Sequence, residues 1–341
     1  MKVFVTGGTG FVGAQVISRL IDDGCQVTAL ARSETAAHKL QAIGASPVLG
    51  SLQNIQDWKR SLEGCDVVVH CAAPVEFWGP WHKFENEIAI ASKNLLVVAT
   101  QMGVGRFVHI SSEAVLQDKG SLLGVDESYP FPSKPNSYYG AAKKLAEIEL
   151  LNADTSADVI IIRPTFVWGN GSTALNEIAA RAKAGSFMWV GQGQSAFEAV
   201  HIKNLAEAVF LATKKGKGKA VYFVTDDEPA TVREFFTEYF KAIGVSIPSE
   251  DLPNFLVEKL ATLVETTWRI LGIKRKPPLS RFEWAFVGMP RRYNITKIKK
   301  DLDYHPTISR RQGFSEAIAP DKLPSMGPTA ALSIPRSFTG S

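Results

Sequence analysis

The chain has 341 residues, of which 45% are hydrophobic and 21% charged, enough for one large α/β domain or two smaller ones. A formal net charge of +4 is a weak argument for nucleic-acid binding, and no apolar run reaches the ~18 residues of a membrane-spanning helix. The N-terminus, MKVFVTGGTG, lacks the pattern of a secretory signal, so we expect a cytoplasmic protein.

The first half of the chain alternates short Val- and Ile-rich runs with helical patterns, several of which end at glycine. This alternation predicts βαβ units and a parallel sheet covered by helices on both faces, a Rossmann-type doubly wound α/β fold. The predicted strands are residues 2–6, 26–31, 46–50, 66–71, 106–111 and 158–163.

The alternation ends after residue 168, although a strand predicted at 220–225 returns to the sheet. We therefore predict a dinucleotide-binding domain over residues 1–168, to which residues 200–225 return. A smaller, mostly helical substrate-binding region is predicted over 169–199 and 226–318. Residues 319–341 are rich in Pro, Ser and Gly without periodicity, which predicts a disordered tail.

The glycine-rich stretch TGGTGFVG lies between the first predicted strand and the first helix. Glycines at this place let the backbone turn tightly and approach a pyrophosphate, which rests on the helix N-terminus. Because the strand and the helix are both present, the motif predicts dinucleotide binding. The predicted cofactor contacts of this turn are Thr6, Gly7, Gly10, Phe11, Val12 and Gly13.

The end of the second predicted strand indicates which dinucleotide binds. An acidic residue there would bind the ribose 2′-hydroxyl of NAD, but the sequence reads ALARSE, with Arg32 and Ser33 near that position. An arginine offers two parallel donors to a phosphate. The residues therefore favour NADP(H), and a solvent-facing Arg32 with tolerance of NAD(H) is the alternative.

The three cysteines, Cys25, Cys65 and Cys71, lack the spacing of metal ligands, and their odd count does not suggest a disulfide framework. We expect reduced thiols and no metal site.

The stretch YGAAK places Tyr139 and Lys143 four residues apart, on one face of a helix about one turn apart. An ammonium near a phenol favours the phenolate and lowers the phenol pKa, which suits proton transfer. The same spacing also arises in surface helices, so the pair alone does not establish a catalytic site.

Taken together, the motifs over residues 1–316 resemble the extended short-chain dehydrogenase/reductase family. They are TGGTGFVG, DVVVHCAA, RFVHISSEAV, DESYPFPSKPNSYYGAAK, IIRPTFVWG and EAVHIKNLAEA, in that order. The stretch YFVTDDEPATVREFF narrows the resemblance to the 3β-hydroxysteroid dehydrogenase and sterol-4-carboxylate dehydrogenase branch. Bacterial oxoalkanoate reductases are similar.

This resemblance implies a proton-relay site of Ser112, Tyr139 and Lys143, with Ser111 as the less favoured serine. It also implies cofactor contacts from Ala72, Ala73 and Pro164, in addition to Tyr139 and Lys143, and a homodimer through helices near 85–103 and 138–152. The sequence departs from the family pattern at Ser51, Ile88 and Ala142.

Aromatic residues crowd the segments that the resemblance places near a substrate, which favours a large apolar substrate, steroid-like or long-chain, although aromatic residues are mostly packing. The candidate contacts are Phe77, Trp78, Trp81, Phe166, Trp168 and Trp189.

The predicted helix over 255–271 has two distinct sides. Leu256, Leu260, Leu263, Val264 and Leu271 share one side, and the other is polar. The favoured interpretation is a helix that covers a core. Because basic residues follow in GIKRKPP, the alternative is peripheral contact with a membrane through residues 253–276.

Three functions remain open. The first is an NADP(H)-dependent oxidoreductase that interconverts a hydroxyl and an oxo group on an apolar substrate. The second is a nucleotide-sugar epimerase or dehydratase, against which Phe166 and the incomplete acidic pair after Ser112 (Glu113, then Ala114) argue. The third is a non-catalytic cofactor sensor, against which the complete Ser112–Tyr139–Lys143 trio argues.

Overall fold

A parallel sheet of seven strands forms the frame of the protein in this computed structural model, which describes residues 1–74, 77–118 and 120–318. The tail predicted at 319–341 lies outside the described residues. The strands are β1 (Lys2–Thr6), β2 (Gln26–Ala31), β3 (Ser46–Leu49), β4 (Val67–His70), β5 (Arg106–Ile110), β6 (Asp158–Pro164) and β7 (Lys219–Val224).

The strand order is β3-β2-β1-β4-β5-β6-β7, and every neighbouring pair is parallel. The predicted Rossmann-type doubly wound fold is confirmed. The order reverses between β1 and β4, and the crevice outside the carboxyl ends of the strands at such a reversal is where ligands bind in this kind of sheet.

Thirteen helices and several short strands complete the part of the chain that the structure describes. The helices are α1 (Phe11–Asp22), α2 (Glu34–Ala42), α3 (Ile55–Trp58), α4 (Trp81–Phe84), α5 (Ala91–Gln101), α6 (Tyr138–Asn152), α7 (Thr173–Lys183), α8 (Ile202–Lys215), α9 (Val232–Ala242), α10 (Asn254–Ile270), α11 (Arg281–Gly288), α12 (Thr296–Leu302) and α13 (Arg310–Ile318). The short strands are Leu122–Val125 with Arg291–Tyr293, Phe166–Trp168 with Ala199–His201, Trp189–Val190 with Asp251–Leu252, and Ala196–Phe197 with Ala230–Thr231.

Alternate residues of the central strands enter two different cores, as the period of a strand dictates. In β6, Ile160 and Ile162 pack with residues of α1 and α8, whereas Val159 and Ile161 pack with residues of α5 and α6. Burial on both faces explains why the strands read as continuous apolar runs.

The helix expected over the 83–103 region is interrupted. A π-helical segment, Glu85–Ile90, lies between α4 and α5. Within this segment, the Ile88 carbonyl oxygen accepts a hydrogen bond from the Ser92 hydroxyl at 2.6 Å. π-helical segments occur often at functional sites.

The residues after β6 build an aromatic core around α7, α9 and α13. Its rings are those of Phe166, Trp168, Phe187, Trp189, Phe197, Phe235, Phe236, Tyr239, Phe240 and Phe314. The strand at Lys219–Val224 joins the main sheet beside β6, but the division of the chain into two functional domains stays a prediction.

Helix α10 differs from the favoured expectation, because its apolar side does not cover a core. Leu260 and Leu263 are 49% and 64% exposed, while Glu265 on the other side is buried. Among the described residues, no helix has the length and apolar character needed to cross a membrane.

A buried ion pair connects α6 to β6. The Arg163 guanidinium donates to both oxygens of Glu147, with Nη2–Oε2 at 2.6 Å and Nε–Oε1 at 3.0 Å, and the Ser111 hydroxyl donates to the same carboxylate. The two charged side chains are 3% and 0% exposed.

We predict that Glu147→Ala lowers the free energy of unfolding by about 3–5 kcal/mol, because it leaves the Arg163 charge buried without a partner. Urea unfolding measures the change. Glu149→Ala is the matched control on the same helix, since Glu149 pairs at the surface with Lys93 and should cost less than about 1 kcal/mol. Equal losses in the two variants would contradict the role given to the buried pair.

Candidate active site

The glycine turn between β1 and α1 leaves room for a ligand only because it lacks side chains. Gly7 has φ +73°, and a Cβ there would lie 2.6 Å from the backbone nitrogen of Ala72, at the end of β4. A Cβ on Gly13 would lie 2.2 Å from the Gly7 carbonyl oxygen. Helix α1 begins after Gly10 without a side-chain cap, so its first N–H groups face this cradle. The donor set fits a dinucleotide pyrophosphate.

Ser112 and Tyr139 meet where β5 ends and α6 begins. The Ser112 hydroxyl accepts a hydrogen bond from the Ala114 N–H at 3.2 Å and is also hydrogen-bonded to the Tyr139 side chain. Gly140 makes this approach possible, since a Cβ there would lie 2.4 Å from the Ala114 carbonyl oxygen. Sequence reasoning missed Gly140, although its place directly after the tyrosine was a readable signal.

Lys143 follows Tyr139 by one turn of α6, and its side chain is buried. Its Nζ donates to the Ile110 carbonyl oxygen, at the carboxyl end of β5, at 2.5 Å. Burial lowers the pKa of Lys143 to about 8, opposed by the nearby Cys71 and Glu147.

The acidity of Tyr139 differs from the expectation. Burial raises its pKa to about 12, and the hydrogen bond with Ser112 is the influence that opposes this rise. The Lys143 ammonium donates to a backbone carbonyl instead of lowering the phenol pKa, as had been expected. Tyr139 therefore keeps its proton at neutral pH, in the form that can act as an acid.

A buried chain of hydrogen bonds supports the floor of the site. His70 Nε2 lies 3.0 Å from Ser92 Oγ, and His70 Nδ1 lies 2.6 Å from Thr6 Oγ1. The Ser92 hydroxyl donates its proton to the Ile88 carbonyl oxygen, so it can only accept from His70. His70 therefore donates from Nε2 and accepts from the Thr6 hydroxyl at Nδ1. Burial, followed by the charge of Lys143, lowers the pKa of His70 to about 3, so the ring stays neutral. Sequence reasoning missed Ser92.

Glu113, directly after Ser112, points into a buried polar cluster. Its Oε1 lies 3.5 Å from Nη1 of Arg291, which is fully buried. Burial raises the pKa of Glu113, and Arg291 opposes the rise. Glu113 is the acidic residue of the incomplete pair after Ser112. Its carboxyl group is paired with the Arg291 guanidinium.

The remaining predicted cofactor residues lie along the same edge of the sheet. Arg32 is exposed at the end of β2, and Ser33 caps α2 by accepting from the Ala36 N–H at 3.2 Å. Ala72 and Ala73 follow β4, and Pro164 ends β6. The carboxyl ends of these parallel strands share one edge, which brings the predicted residues together.

Three of the six aromatic residues predicted to contact substrate lie at the mouth of the site. Phe77 is 42% exposed, and its ring centroid lies 5.0 Å from that of Tyr139. Phe282, which the sequence analysis missed, stacks on Phe77 at 4.7 Å. Trp81 contacts the Tyr138 ring at 5.8 Å, and Trp78 donates from Nε1 to the Ile273 carbonyl at 3.2 Å.

The other three belong to the aromatic core, an outcome that the sequence analysis left open because aromatic residues are mostly packing. Trp168 is fully buried and donates to Asp226 Oδ2 at 2.6 Å, and Trp189, also fully buried, donates to the Pro248 carbonyl at 2.7 Å. Phe166 is buried against Phe197 and Phe286. The structure accounts for these three side chains as packing residues, and their contact with a substrate stays a prediction.

Comparisons with known proteins agree with this geometry. The model of the family described as NAD dependent epimerase/dehydratase matches residues 3–224. The 4-hydroxy-2-methyl-3-oxo-4-farnesyl-3,4-dihydroquinoline-1-oxide ketoreductase of Stigmatella aurantiaca is 34% identical over 98% of this chain and 99% of its own. The decarboxylating sterol-4-alpha-carboxylate 3-dehydrogenase of Dictyostelium discoideum is 31% identical over 92% of this chain and 99% of its own.

The fold is also similar to that of a solved structure. The UDP-glucose 4-epimerase of Thermotoga maritima, determined with UDP-glucose, aligns with a TM-score of 0.73 and 20% identity over 93% of this chain and 97% of that chain.

We predict that Gly13→Ala weakens dinucleotide binding on the order of tenfold or more, because the added Cβ displaces the Gly7 carbonyl and narrows the cradle. Fluorescence titration with NADPH and with NADH measures the dissociation constants. Gly105→Ala is the control, since a Cβ at Gly105 meets its nearest neighbour, the Asp66 carbonyl oxygen, at 3.8 Å. Unchanged binding by Gly13→Ala would show that the nucleotide does not use this turn.

Proposed function

Because the chain belongs to the NAD dependent epimerase/dehydratase family, we propose that it is an NADP(H)-dependent oxidoreductase acting on a large apolar substrate, steroid-like or long-chain. The predicted membership of the extended short-chain dehydrogenase/reductase family, and of its 3β-hydroxysteroid dehydrogenase and sterol-4-carboxylate dehydrogenase branch, is confirmed. The chain is an NAD(P)-dependent dehydrogenase or reductase, as predicted. The substrate class, the preference for NADP(H) and the residue roles are the proposal.

The observation that carries the proposal is the hydrogen bond between the Tyr139 side chain and Ser112, next to the aromatic rings at the mouth. When bound, the nicotinamide cofactor supplies or accepts the hydride. In reduction, Tyr139 donates its proton to the carbonyl oxygen of the substrate, and Ser112 donates a hydrogen bond that fixes the position of that oxygen. Lys143, held by the Ile110 carbonyl, has N–H donors left for the ribose hydroxyls.

The high pKa of Tyr139 supports its role as the proton donor of a reduction at neutral pH. A phenol with a pKa of about 12 is almost entirely protonated there, so it is ready to act as an acid and rarely available as a base. The rate of alcohol oxidation by the same residues should rise with pH, because the fraction of Tyr139 present as phenolate grows.

The character of the mouth supports an apolar substrate. Phe77 and Phe282 stack on each other, and each ring makes an edge-to-face contact with the ring of Tyr139. Their centroids lie 5.0 Å and 6.1 Å from the Tyr139 ring centroid. The ketoreductase of Stigmatella aurantiaca and the sterol dehydrogenase of Dictyostelium discoideum have names that describe farnesylated and sterol substrates, which agrees with this class.

The alternative is a nucleotide-sugar epimerase or dehydratase, which the family description and the fold of the solved epimerase favour. Phe166 and the Glu113–Arg291 pair argue against it, because neither leaves a free polar group for a sugar. An epimerase recycles its cofactor, whereas an oxidoreductase consumes it.

The proposal also covers the oligomeric state and the location of the enzyme. Ile90 lies directly before α5 and Val97 lies on it, and both apolar side chains are exposed. This exposed apolar surface supports the homodimer through the helices at 85–103 and 138–152. We also propose a cytoplasmic enzyme in peripheral contact with a membrane through residues 253–276.

A panel of apolar ketones and alcohols, including hydroxysteroids, 3-oxo acids and hydroxy-aryl compounds, tests the function and Tyr139 together. Wild-type protein should consume NADPH steadily with at least one ketone. Tyr139→Phe should lower kcat about 10²- to 10⁴-fold with NADPH affinity retained, because only the proton donor is lost.

The matched control is Tyr138→Phe, which removes the neighbouring phenol oxygen and should keep kcat within about twofold. Interconversion of a UDP-sugar without net consumption of NADPH would contradict the oxidoreductase proposal. Comparable turnover by Tyr139→Phe would mean that another group donates the proton.

Arg32→Ala should weaken NADPH binding about 10- to 100-fold and leave NADH binding almost unchanged, because a charge-assisted contact to the 2′-phosphate is removed. Equilibrium titrations with both nucleotides provide the measurement. Lys39→Ala, which removes an exposed cation of the following helix α2, should alter neither constant. Equal losses for NADPH and NADH in Arg32→Ala would refute the phosphate role.

A further inference from the structure

Arg291 is a charged side chain that the fold buries completely and that the proposed reaction does not use. Its Nη1 lies 3.5 Å from Glu113 Oε1, and its Nη2 donates a hydrogen bond to the carbonyl oxygen of Phe286. Within the described residues, its Nε has no hydrogen-bond partner. Because burial of a guanidinium with incomplete hydrogen bonding costs free energy, stability alone is a weak explanation for this residue.

The surroundings of Arg291 hold its guanidinium in one place. The short strand Arg291–Tyr293 pairs with Leu122–Val125, and Tyr293 stacks on Phe223 of β7 with ring centroids 4.4 Å apart. The guanidinium itself lies 4.9 Å from the centroid of the Phe286 ring. Strand pairing, ring stacking and burial therefore fix the guanidinium relative to the main sheet.

The carboxylate that pairs with this guanidinium belongs to the turn that sets the direction of the Ser112 hydroxyl. Glu113 begins a single helical turn that ends at Val115. The Ser112 hydroxyl accepts a hydrogen bond at 3.2 Å from the N–H of Ala114, in the same turn. A shift of Glu113 would therefore move the Ser112 hydroxyl relative to Tyr139, to which it is hydrogen-bonded.

The carbonyl group that accepts from the guanidinium belongs to a helix at the mouth of the site. Phe286 lies in the last turn of α11, where carbonyl groups lack donors within the helix, and Arg291 supplies one. Phe282 lies one turn earlier on the same face of α11, and its ring contacts those of Phe77 and Tyr139. One guanidinium thus connects the turn beside the serine to the helix that borders the mouth.

We propose that Arg291 is a positioning residue, which fixes the turn of Glu113 against the end of α11 and so holds the Ser112 hydroxyl in contact with Tyr139. Arg291 acts through Glu113 and touches neither the substrate nor the cofactor. The effect on turnover rests on the proposed function, whereas the effect on the contact between Ser112 and Tyr139 does not. The contact matters for rate because a misplacement of about 1 Å can cost on the order of 10²-fold.

Nuclear magnetic resonance of the full chain labelled with [13Cζ]tyrosine tests the contact without turnover. The chain has seven tyrosines, and the Tyr139 signal is identified by its loss in Tyr139→Phe. Ser112→Ala gives the chemical shift of Tyr139 when the contact is absent. Arg291→Met should move the Tyr139 signal in the same direction as Ser112→Ala does, because the turn that directs the serine is no longer fixed.

Reduction of a water-soluble ketone by NADPH tests the effect on the reaction. Arg291→Met should lower kcat about 10- to 100-fold, with KM for the ketone and the NADPH dissociation constant within about threefold, because a contact used in the transition state is displaced. Arg291→Lys keeps the charge and can reach one of the two partners, so it should recover part of the loss. A role in stability alone would change the amount of folded protein and leave kcat per folded enzyme unchanged.

The double variant Glu113→Gln/Arg291→Met keeps the test decisive if Arg291→Met alone does not fold. It removes both charges, and proteins often tolerate replacement of a whole buried pair. Because Arg291 acts through Glu113, the double variant should show the same displaced Tyr139 signal and a loss of kcat no larger than that of Arg291→Met. The losses of the two single variants should therefore not add.

Arg106 provides the matched control, because it also joins a carboxylate to a carbonyl group. Its Nη2 donates to Asp158 Oδ2 at 3.1 Å and its Nη1 to the Thr213 carbonyl oxygen at 2.5 Å. Arg106 begins β5, so it lies at the end of that strand opposite to Ser112. Arg106→Met should leave the Tyr139 signal in place and kcat within about twofold of the wild type.

A Tyr139 signal that stays in place in folded Arg291→Met, or in the double variant, would overturn the proposal. Wild-type kcat in either variant would overturn it as well, and so would losses that add in the double variant. A displaced signal in a chain whose wild type reduces no ketone would support the positioning of Ser112 by Arg291 and reject the proposed function instead.

Discussion

The buried ion pair between Glu147 and Arg163 is the interaction on which the geometry of the candidate site depends. It joins α6, which carries Tyr139 and Lys143, to β6, and the Ser111 hydroxyl donates to the same carboxylate. Because Ser112 follows Ser111 directly, one carboxylate orients all three candidate catalytic elements. A buried pair of this kind adds little net stability over an apolar replacement, so its value here is the position that it gives to its neighbours.

Burial of the individual groups also sets the protonation states of the site. It raises the pKa of Tyr139 to about 12 and lowers that of Lys143 to about 8. His70 stays neutral with a pKa of about 3. The site therefore offers a neutral phenol as the acid beside an amine that is close to its midpoint in mildly alkaline solution. These states supply the proton donor that reduction of a carbonyl group requires.

The parallel sheet could be predicted from the sequence, because strands buried on both faces leave apolar runs between helices that end at glycine. The glycine turn and the Tyr139–Lys143 spacing were also local signals. The contacts of Ser92 and Phe282 depend on distant segments meeting, which no local pattern records. Helix α10 shows the limit most clearly, because amphipathic spacing identifies the apolar side but not whether it faces a core. The sequence likewise did not show that Trp168 and Trp189 lie in the aromatic core. There their indole N–H groups donate to Asp226 and to the Pro248 carbonyl, which are distant in the sequence.

A crystal structure with NADP⁺ and an apolar alcohol or ketone would test the central claim most directly. The account predicts the pyrophosphate on the N-terminus of α1, between Gly7 and Gly13. It also predicts the Tyr139 hydroxyl and the Ser112 hydroxyl about 2.6–3.2 Å from the same substrate oxygen. A pyrophosphate bound elsewhere, or a Tyr139 hydroxyl directed away from the nicotinamide ring, would contradict the account.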